Sequence, residues 1–422
     1  MKSYLFLFFL FISSIIHSQT AWNWTELDTM PFKISNNAVT QADSLGEQFV
    51  YSFGGIDQSK IHSGIVQNSY KYQISTGIWT QILPLPSTLA NIAAGASTVK
   101  NKIYIIGGYH VYPNGNELSS NEVIIYDPTQ DIYQPNGTNL PTPIDDHVQC
   151  VWRDSLIYVI TGWSNSGNVP NVQIYNPSLD SWSTGTNTPN NHNYKAFGAS
   201  GNIIGDTIYY YGGAQSSNGF NAVSKLRKGV IDQNDPTQIT WTLESDAPNS
   251  GYRSACITHG TNIFWIGGSS ISYNYNGIAY NGSGGVSPLT QIMRYSTINK
   301  VWYPGLGAPH SVMDMRGVAQ LSPTSWIICG GMNQNQEVTN RTFLLNYDPI
   351  TGNLNSKMKV KTFVYNRQIY TNSAFDSAKI YDLSGRLIQT IHNNLLPADL
   401  NGIYIVEIET LNGHLETLKI SL

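Results

Sequence analysis

Four short stretches hold most of the side chains that could move a proton or grip a charge: Asp145-Asp146-His147, His192-Asn193-Tyr194-Lys195, Tyr252-Arg253 and Asp314-Met315-Arg316. Charged residues make up only 12% of the sequence, against about 25% in an average protein, so this concentration departs from the background. A carboxylate beside a histidine suits acid–base work. Two arginines are forked donors that can take a carboxylate bidentately. Trp163 and the tyrosines around it offer flat faces for a sugar ring or a polar peptide. The candidate ligand-binding residues are therefore Asp145, Asp146, His147, His192, Lys195, Tyr252, Arg253, Asp314, Arg316 and Trp163. No metal-ligand spacing, nucleophile elbow or dinucleotide fingerprint is present, so no cofactor, metal or catalytic residue is assigned. The Gly-rich run Asn281-Gly282-Ser283-Gly284-Gly285 has no helix signal after it, which argues against a phosphate cradle.

What positions these residues is a repeat. Short apolar strands end in Phe53-Gly54-Gly55, Ile106-Gly107-Gly108, Thr161-Gly162-Trp163, Tyr211-Gly212-Gly213, Ile266-Gly267-Gly268 and Cys329-Gly330-Gly331. A second cadence runs in phase: Tyr72 and Trp79, Tyr126 and Tyr133, Tyr175 and Trp182, and Tyr295 and Trp302 are each seven apart. A proline then follows seven after Trp24, Trp79, Trp182, Trp241 and Trp302. A period near fifty with four strand-like pieces per unit predicts an all-β propeller. In unit 2 the strands a to d are expected at 92–99, 102–106, 122–126 and around Tyr133. Small residues on strand a suit the crowded axis, and strand b, apolar on both faces, suits burial between blades. Asp127-Pro128 and Asn176-Pro177 mark type I turns before strand d. Six Gly signals, with a first Trp that precedes them all, predict six blades. Tyr347 has Leu354 where a Trp is due, so the N-terminal Trp24–Pro31 strand is expected to close blade six.

The Gly pair after an apolar strand, with its spaced Tyr and Trp, resembles the kelch repeat over residues 20–357. Unit 3 carries Thr161 at the first Gly position and unit 4 lacks the Tyr, having Val230-Ile231. Antiparallel order puts the d–a and b–c loops on one face, where the charged stretches fall. Aligned by repeat, His147, Lys195, Arg253 and Arg316 would ring the channel mouth. Loops around Tyr109, His110, Tyr112, Tyr273, Tyr275 and Tyr280 share that face. The ring could instead serve only to join neighbouring loops. Three functions stay open: a binding module for a glycan or protein ligand, a sugar-acting enzyme, or a structural surface protein. The resemblance implies, for the enzyme, an epimerase or mutarotase of the sialic acid kind, with His147 or Asp146 moving protons and Arg253 and Arg316 holding a carboxylate. A copper oxidase of the galactose oxidase kind would need seven blades and a Tyr/His/Cys set that this sequence does not offer.

The two ends read as addresses. Lys2 followed by the apolar run Leu5–Ile16 and small residues near Ser18 predicts a signal peptide over 1–18. Losing Lys2 takes the net charge from −4 to −5, with no basic run, which argues against nucleic acid. Cys150, Cys256 and Cys329 are expected as buried free thiols. Residues 358–422 read as a small all-β domain with turns at Ser384-Gly385 and Asn412-Gly413. Ile380-Tyr381-Asp382-Leu383-Ser384-Gly385-Arg386, Leu400-Asn401-Gly402-Ile403-Tyr404 and Leu418-Lys419-Ile420 resemble the C-terminal sorting domain of type IX secretion cargo. The Pro-Asn-Pro opening of that domain is absent, with Val364-Tyr365-Asn366 in its place. That resemblance implies the type IX machinery as a partner and a monomer secreted from, or held on, the outer surface of a Gram-negative bacterium. Asp-Ser/Thr-apolar triplets such as Asp154-Ser155-Leu156 also resemble an O-glycosylation sequon, but most suit ordinary turn chemistry.

Overall fold

The computed structural model describes residues 22–348, 362–365, 368–371, 375–392, 395–410 and 415–421. The expected leader (1–18), Leu354, the boundary at 357/358 and the Asn412-Gly413 turn lie outside them. Compact units divide at Pro349/Ile350.

Among the described residues of the first unit, six sheets carry strands a-b-c-d in order, one with Arg316–Gly317 added at its edge, and two two-stranded hairpins stand apart from them. Strand a of each blade is, in turn, Ala38–Ser44, Gly95–Val99, Val148–Trp152, Phe197–Ile204, Ala255–His259 and Ala319–Ser322. Strands b and c of blade 2 are Lys102–Ile106 and Val123–Asp127, close to the sequence expectation. Strand a of that blade begins three residues later than expected, because Ala93 takes φ 57° and breaks the extended run.

The Tyr/Trp cadence is the register of strands c and d. Tyr72 stands opposite Trp79, Tyr175 opposite Trp182 and Tyr295 opposite Trp302, with ring centroids 5.0–5.2 Å apart. In blade 4 the missing Tyr is Gly229, which leaves its place to the Trp241 ring. Four of the indoles also reach back to the preceding blade. Trp79, Trp182, Trp241 and Trp302 donate from Nε1 to the carbonyls of Asp28, Thr138, Thr186 and Ser245 at 2.7–3.2 Å. One residue type therefore fills the wedge and ties the blades.

The Gly pair performs the same service at the other face. Both members take positive φ, which turns the second N–H toward the next blade. Gly268 donates to Val312 O at 2.8 Å, and Gly331 to Ile34 O at 2.9 Å. A Cβ on Gly267 would lie 2.2 Å from Val312 O, so no other residue fits. Blade 3 reverses the tie. Thr161 takes φ 46°, and its hydroxyl accepts from Ala196 N at 3.0 Å.

Trp22–Leu27 closes the ring on Thr342–Tyr347, as the count requires. The residue opposite Tyr347 is Trp22; Trp24 faces Leu345 two positions on. With period 2 both indoles lie on one face, and only the register distinguishes them. Cys150 and Cys329 are buried, Cys256 is half-buried, and all three are free.

In the second unit, Leu387–Ile391, Phe375–Tyr381, Ile403–Thr410 and Leu415–Ser421 form one antiparallel sheet, and Thr362–Tyr365 pairs with Gln368–Thr371. Ala378, Ile380, Val406 and Ile408 are among the residues of its core. The expected Ser384-Gly385 turn is present, with Asp382 accepting from the Ser384 and Arg386 amides.

Candidate functional site

At the start of each blade's strand a one residue takes positive φ: Asn36, Ala93, Asp146, Gly198, Arg253 and Asp314. Their backbones form a belt around the channel mouth. Ala93 N donates to Asn36 O, Asp146 N to Ala93 O, Gly198 N to Asp146 O, Arg253 N to Gly198 O and Met315 N to Arg253 O, at 2.8–3.4 Å. The seam is crossed by Arg316–Gly317 pairing parallel to Ala38–Val39. Left-handed backbone at a non-Gly residue costs about 1 kcal/mol or more, and here the belt offsets it.

Three belt residues send charged side chains to the axis. Arg253 donates from Nε to Asp146 Oδ1 at 3.0 Å and from Nη2 to the other oxygen of the same carboxylate. Its Nη1 reaches Asp314 Oδ1 at 2.9 Å. Ser35 Oγ donates to Asp314 Oδ2 at 2.6 Å. The rings of Tyr252 and Tyr273 lie 5.1 and 5.4 Å from the guanidinium. Arg253 and Asp314 are 0% exposed. Burial alone would lower the Arg253 pKa, but Asp146, Tyr252 and Asp314 hold it well above its ordinary value. Arg316 sits beside this cluster, 3.6 Å from Asp146 Oδ1, and donates from Nη2 to His147 O at 2.9 Å.

The cluster has a cavity on either side. The axial channel, about 350 Å³, is lined by strand a residues such as Gly95 and Ala199, with His147 and Arg316 just ahead of strand a in their blades. His147 Nε2 meets Gln149 Oε1 at 3.0 Å, and Gln149 donates on to Ser97 Oγ. Burial, aided by the Arg316 charge, pushes the imidazole down to about 4, so it is neutral at pH 7. Acid should therefore destabilise the propeller here. Unfolded His147 binds a proton near pH 6.5 and the folded residue does not until about 4, so up to about 3 kcal/mol is lost as pH falls through that window. His147→Gln should flatten the fall in urea midpoint between pH 7.5 and 4.5; an unchanged slope would refute the assignment.

On the loop face lies a smaller pocket of about 110 Å³. Tyr109, Trp163, Phe197, Phe220 and Tyr280 wall it, and Glu117, Asp145 and Asp146 supply its carboxyls. Phe220 stacks on Tyr280 at 5.0 Å, and Trp163 meets Phe197 edge-on at 5.5 Å. Asp145 is 4% exposed and accepts from Ser119 Oγ at 2.6 Å. Burial and the neighbouring Asp146 charge raise its pKa well above the usual carboxylate range. Desolvation also raises Glu117, at the pocket rim.

The structure thus brings Asp145, Asp146, His147, Tyr252, Arg253, Asp314 and Arg316 together and puts Trp163 in the wall beside them. It does not bring His192 or Lys195 to the ring. The segment Asn191–Lys195 turns on Asn191 O, leaving His192 exposed, and Gly198 takes the belt position. The repeat alignment of His147, Lys195, Arg253 and Arg316 is corrected accordingly: the equivalent positions are Asp146, Gly198, Arg253 and Asp314. Sequence reasoning missed Glu117, Phe197 and Phe220. Glu117 had a signal, since Pro113-Asn114-Gly115 marks the tip of the hairpin Tyr109–Val111/Glu117–Ser119 that carries it.

The family model of the KLHDC2/KLHL20/DRC7 Kelch-repeats domain matches residues 36–268, more than half of the chain. The chain belongs to the kelch-repeat family. It is 27% identical over 207 residues to the Kelch-like protein terF of Aspergillus terreus, covering 47% of this chain and 42% of that protein. To Kelch-like protein 36 of Bos taurus it is 24% identical over 194 residues, covering 46% and 29%. It matches Kelch repeat and BTB domain-containing protein 12 of Homo sapiens at 27% over 207 residues, covering 46% and 32%. The chain thus spans less than half the length of these relatives. Among solved structures, that of YjhT superposes with a TM-score of 0.60 at 15% identity, covering 82% of this chain and 99% of that one, a likeness of fold.

Proposed function

We propose that this kelch propeller is a binding module whose glycan or protein ligand sits on the face built by the d–a and b–c loops. One observation carries the reading. The aromatic-walled pocket on that face presents Asp145 and Glu117, while Arg253 and Asp314 are buried and committed to each other. Kelch domains generally bind protein partners, which supports the protein ligand of the two. The sugar-enzyme reading needs Arg253 and Arg316 free for a substrate carboxylate. Arg253 instead forks Asp146, and Arg316 is held on the His147 carbonyl, so the geometry favours binding over catalysis. Export completes the proposal: the leader pattern at 1–18 and the C-terminal pattern support passage out of a Gram-negative cell by the type IX machinery. Among the described residues no helix is long and apolar enough to cross a membrane.

The test is a glycan array and a peptide array probed with the full chain, with Trp163→Ala, and with Leu179→Ser on the opposite face as control. Signal on one array, lost in Trp163→Ala and kept in Leu179→Ser, is the expected result. Silence on both arrays, or signal that follows Leu179 instead, would refute the loop face.

A further inference from the structure

The loop-face pocket has an unbalanced charge. Four carboxyls, those of Glu117, Asp145, Asp146 and Asp314, converge there and on the cluster beneath it, with two guanidiniums to meet them. Both guanidiniums serve the axial side: Arg253 is divided between Asp146 and Asp314, and Arg316 lies against Asp146. Among the described residues, Asp145 and Glu117 have no ion-pair partner within salt-bridge distance. Asp145 is 4% exposed, lines the pocket and uses Oδ2 for Ser119, and among the described residues no hydrogen bond reaches its Oδ1. Buried beside Asp146, the Asp145 carboxyl is driven toward its protonated form, and a cation that enters the pocket would let it ionise.

The walls specify that charge. Trp163, Phe220 and Tyr280 present π systems, which attract a cation and reward one whose own hydration is weak. A metal ion would ask for several oxygen ligands and would gain little from aromatic rings. The space, about 110 Å³, is smaller than the roughly 150 Å³ cavity that holds a benzene, so it takes a head group of a few heavy atoms and not a whole sugar ring.

We infer that this pocket is a recognition site for an alkylammonium head group, bare or methylated, held between the aromatic wall of Trp163, Phe220 and Tyr280 and the carboxyls of Asp145 and Glu117. The inference rests on the loop-face reading above and deepens it. It names the chemistry that a ligand must present there, whether on a lysine side chain of a protein or on a free amine.

Isothermal titration of the full chain decides it, at constant ionic strength, with three probes: choline, its neutral carbon isostere 3,3-dimethyl-1-butanol, and Nα-acetyl-lysine methylamide. Choline or the lysine amide should bind at least about tenfold more tightly than the neutral isostere, because only a cation engages rings and carboxyls together. Preference for the lysine amide points to a protein source and preference for choline to a free amine. Glu117→Gln, at the rim where folding is least at risk, should weaken the cation about threefold or more and leave the isostere unchanged, and Leu179→Ser should change neither. Equal binding of choline and the isostere, or binding of neither cation, would overturn the assignment. If array signal at the loop face survived that result, the cation site would fall and the binding-face reading would stand.

Discussion

Arg253→Met is expected to cost about 3–5 kcal/mol of folding free energy at pH 7.5, the range for breaking a buried ion pair by removing one partner. Methionine keeps much of the side-chain volume and is no worse than arginine at φ 47°, so the backbone does not confound the result. What changes is charge. Asp146 and Asp314, 2% and 0% exposed, lose Nε, Nη1 and Nη2, the donors that were committed to them. Asp146 keeps Arg316 at 3.6 Å, but Asp314 is left buried without its ion-pair partner and can relax only by taking up a proton, so its folded pKa must rise further. A raised folded value gives stability that is present below the unfolded value and is lost as pH rises through the folded one. The deficit of the variant should therefore be small near pH 4 and grow toward neutrality, opposite in sign to the His147 effect. Urea melts at pH 4.5 and 7.5 read this directly. Adding Asp314→Asn to the variant should recover part of the loss, since it removes one orphaned charge and an asparagine tolerates the positive φ of that position. A variant as stable as the parent at pH 7.5 would mean that the cluster is not what holds the channel mouth together.

The same cluster marks where the sequence stops being readable. Gly pairs, Tyr/Trp spacing and the displaced first Trp predicted six blades and their closure, because each is a local signal that sits in a short window and recurs, or breaks phase, along the chain. Burial at the axis is different in kind: it arises when six distant segments converge, and no window of sequence contains it. Aligned linearly, His147, Lys195, Arg253 and Arg316 looked equivalent because charge is conspicuous. The backbone aligns Asn36, Ala93, Asp146, Gly198, Arg253 and Asp314. Four of those six are Asn, Asp or Gly, the residues that best tolerate left-handed backbone, and that was the legible signal for the belt. Phe220 had no comparable signal. It joins the wall because loops of blades 3, 4 and 5 fold over one another, with Trp163, Phe220 and Tyr280 each supplied by a different b–c loop.

Trp22→Ala should cost about 3–5 kcal/mol, as large as any single core truncation, although it alters a residue near the end of the strand ladder. Trp22 is 7% exposed and packs edge-on against Phe264 at 5.2 Å, with Tyr347 at 4.8 Å and Trp326 at 5.9 Å. Its strand adds six paired residues to Thr342–Tyr347, and Arg341 forks Glu26 across the seam at 2.7 and 2.9 Å. Every other blade is held by chain continuity between strands c and d. In blade 6 noncovalent contacts alone join them, so opening the propeller should begin by peeling this strand and exposing the edge of Thr342–Tyr347. A covalent staple tests the same idea from the other direction. Asn23 and Asn346 are direct cross-strand partners, and Asn23→Cys/Asn346→Cys would close nearly the whole propeller into one loop. For a loop of that length the oxidised form should gain up to about 5 kcal/mol over the reduced one. It should also unfold more slowly, because the step it blocks comes first. The staple should rescue Trp22→Ala more than it rescues Arg253→Met, since only the former acts at the seam. Equal rescue of both, or an oxidised form no more stable than the reduced one, would show that the ring opens elsewhere.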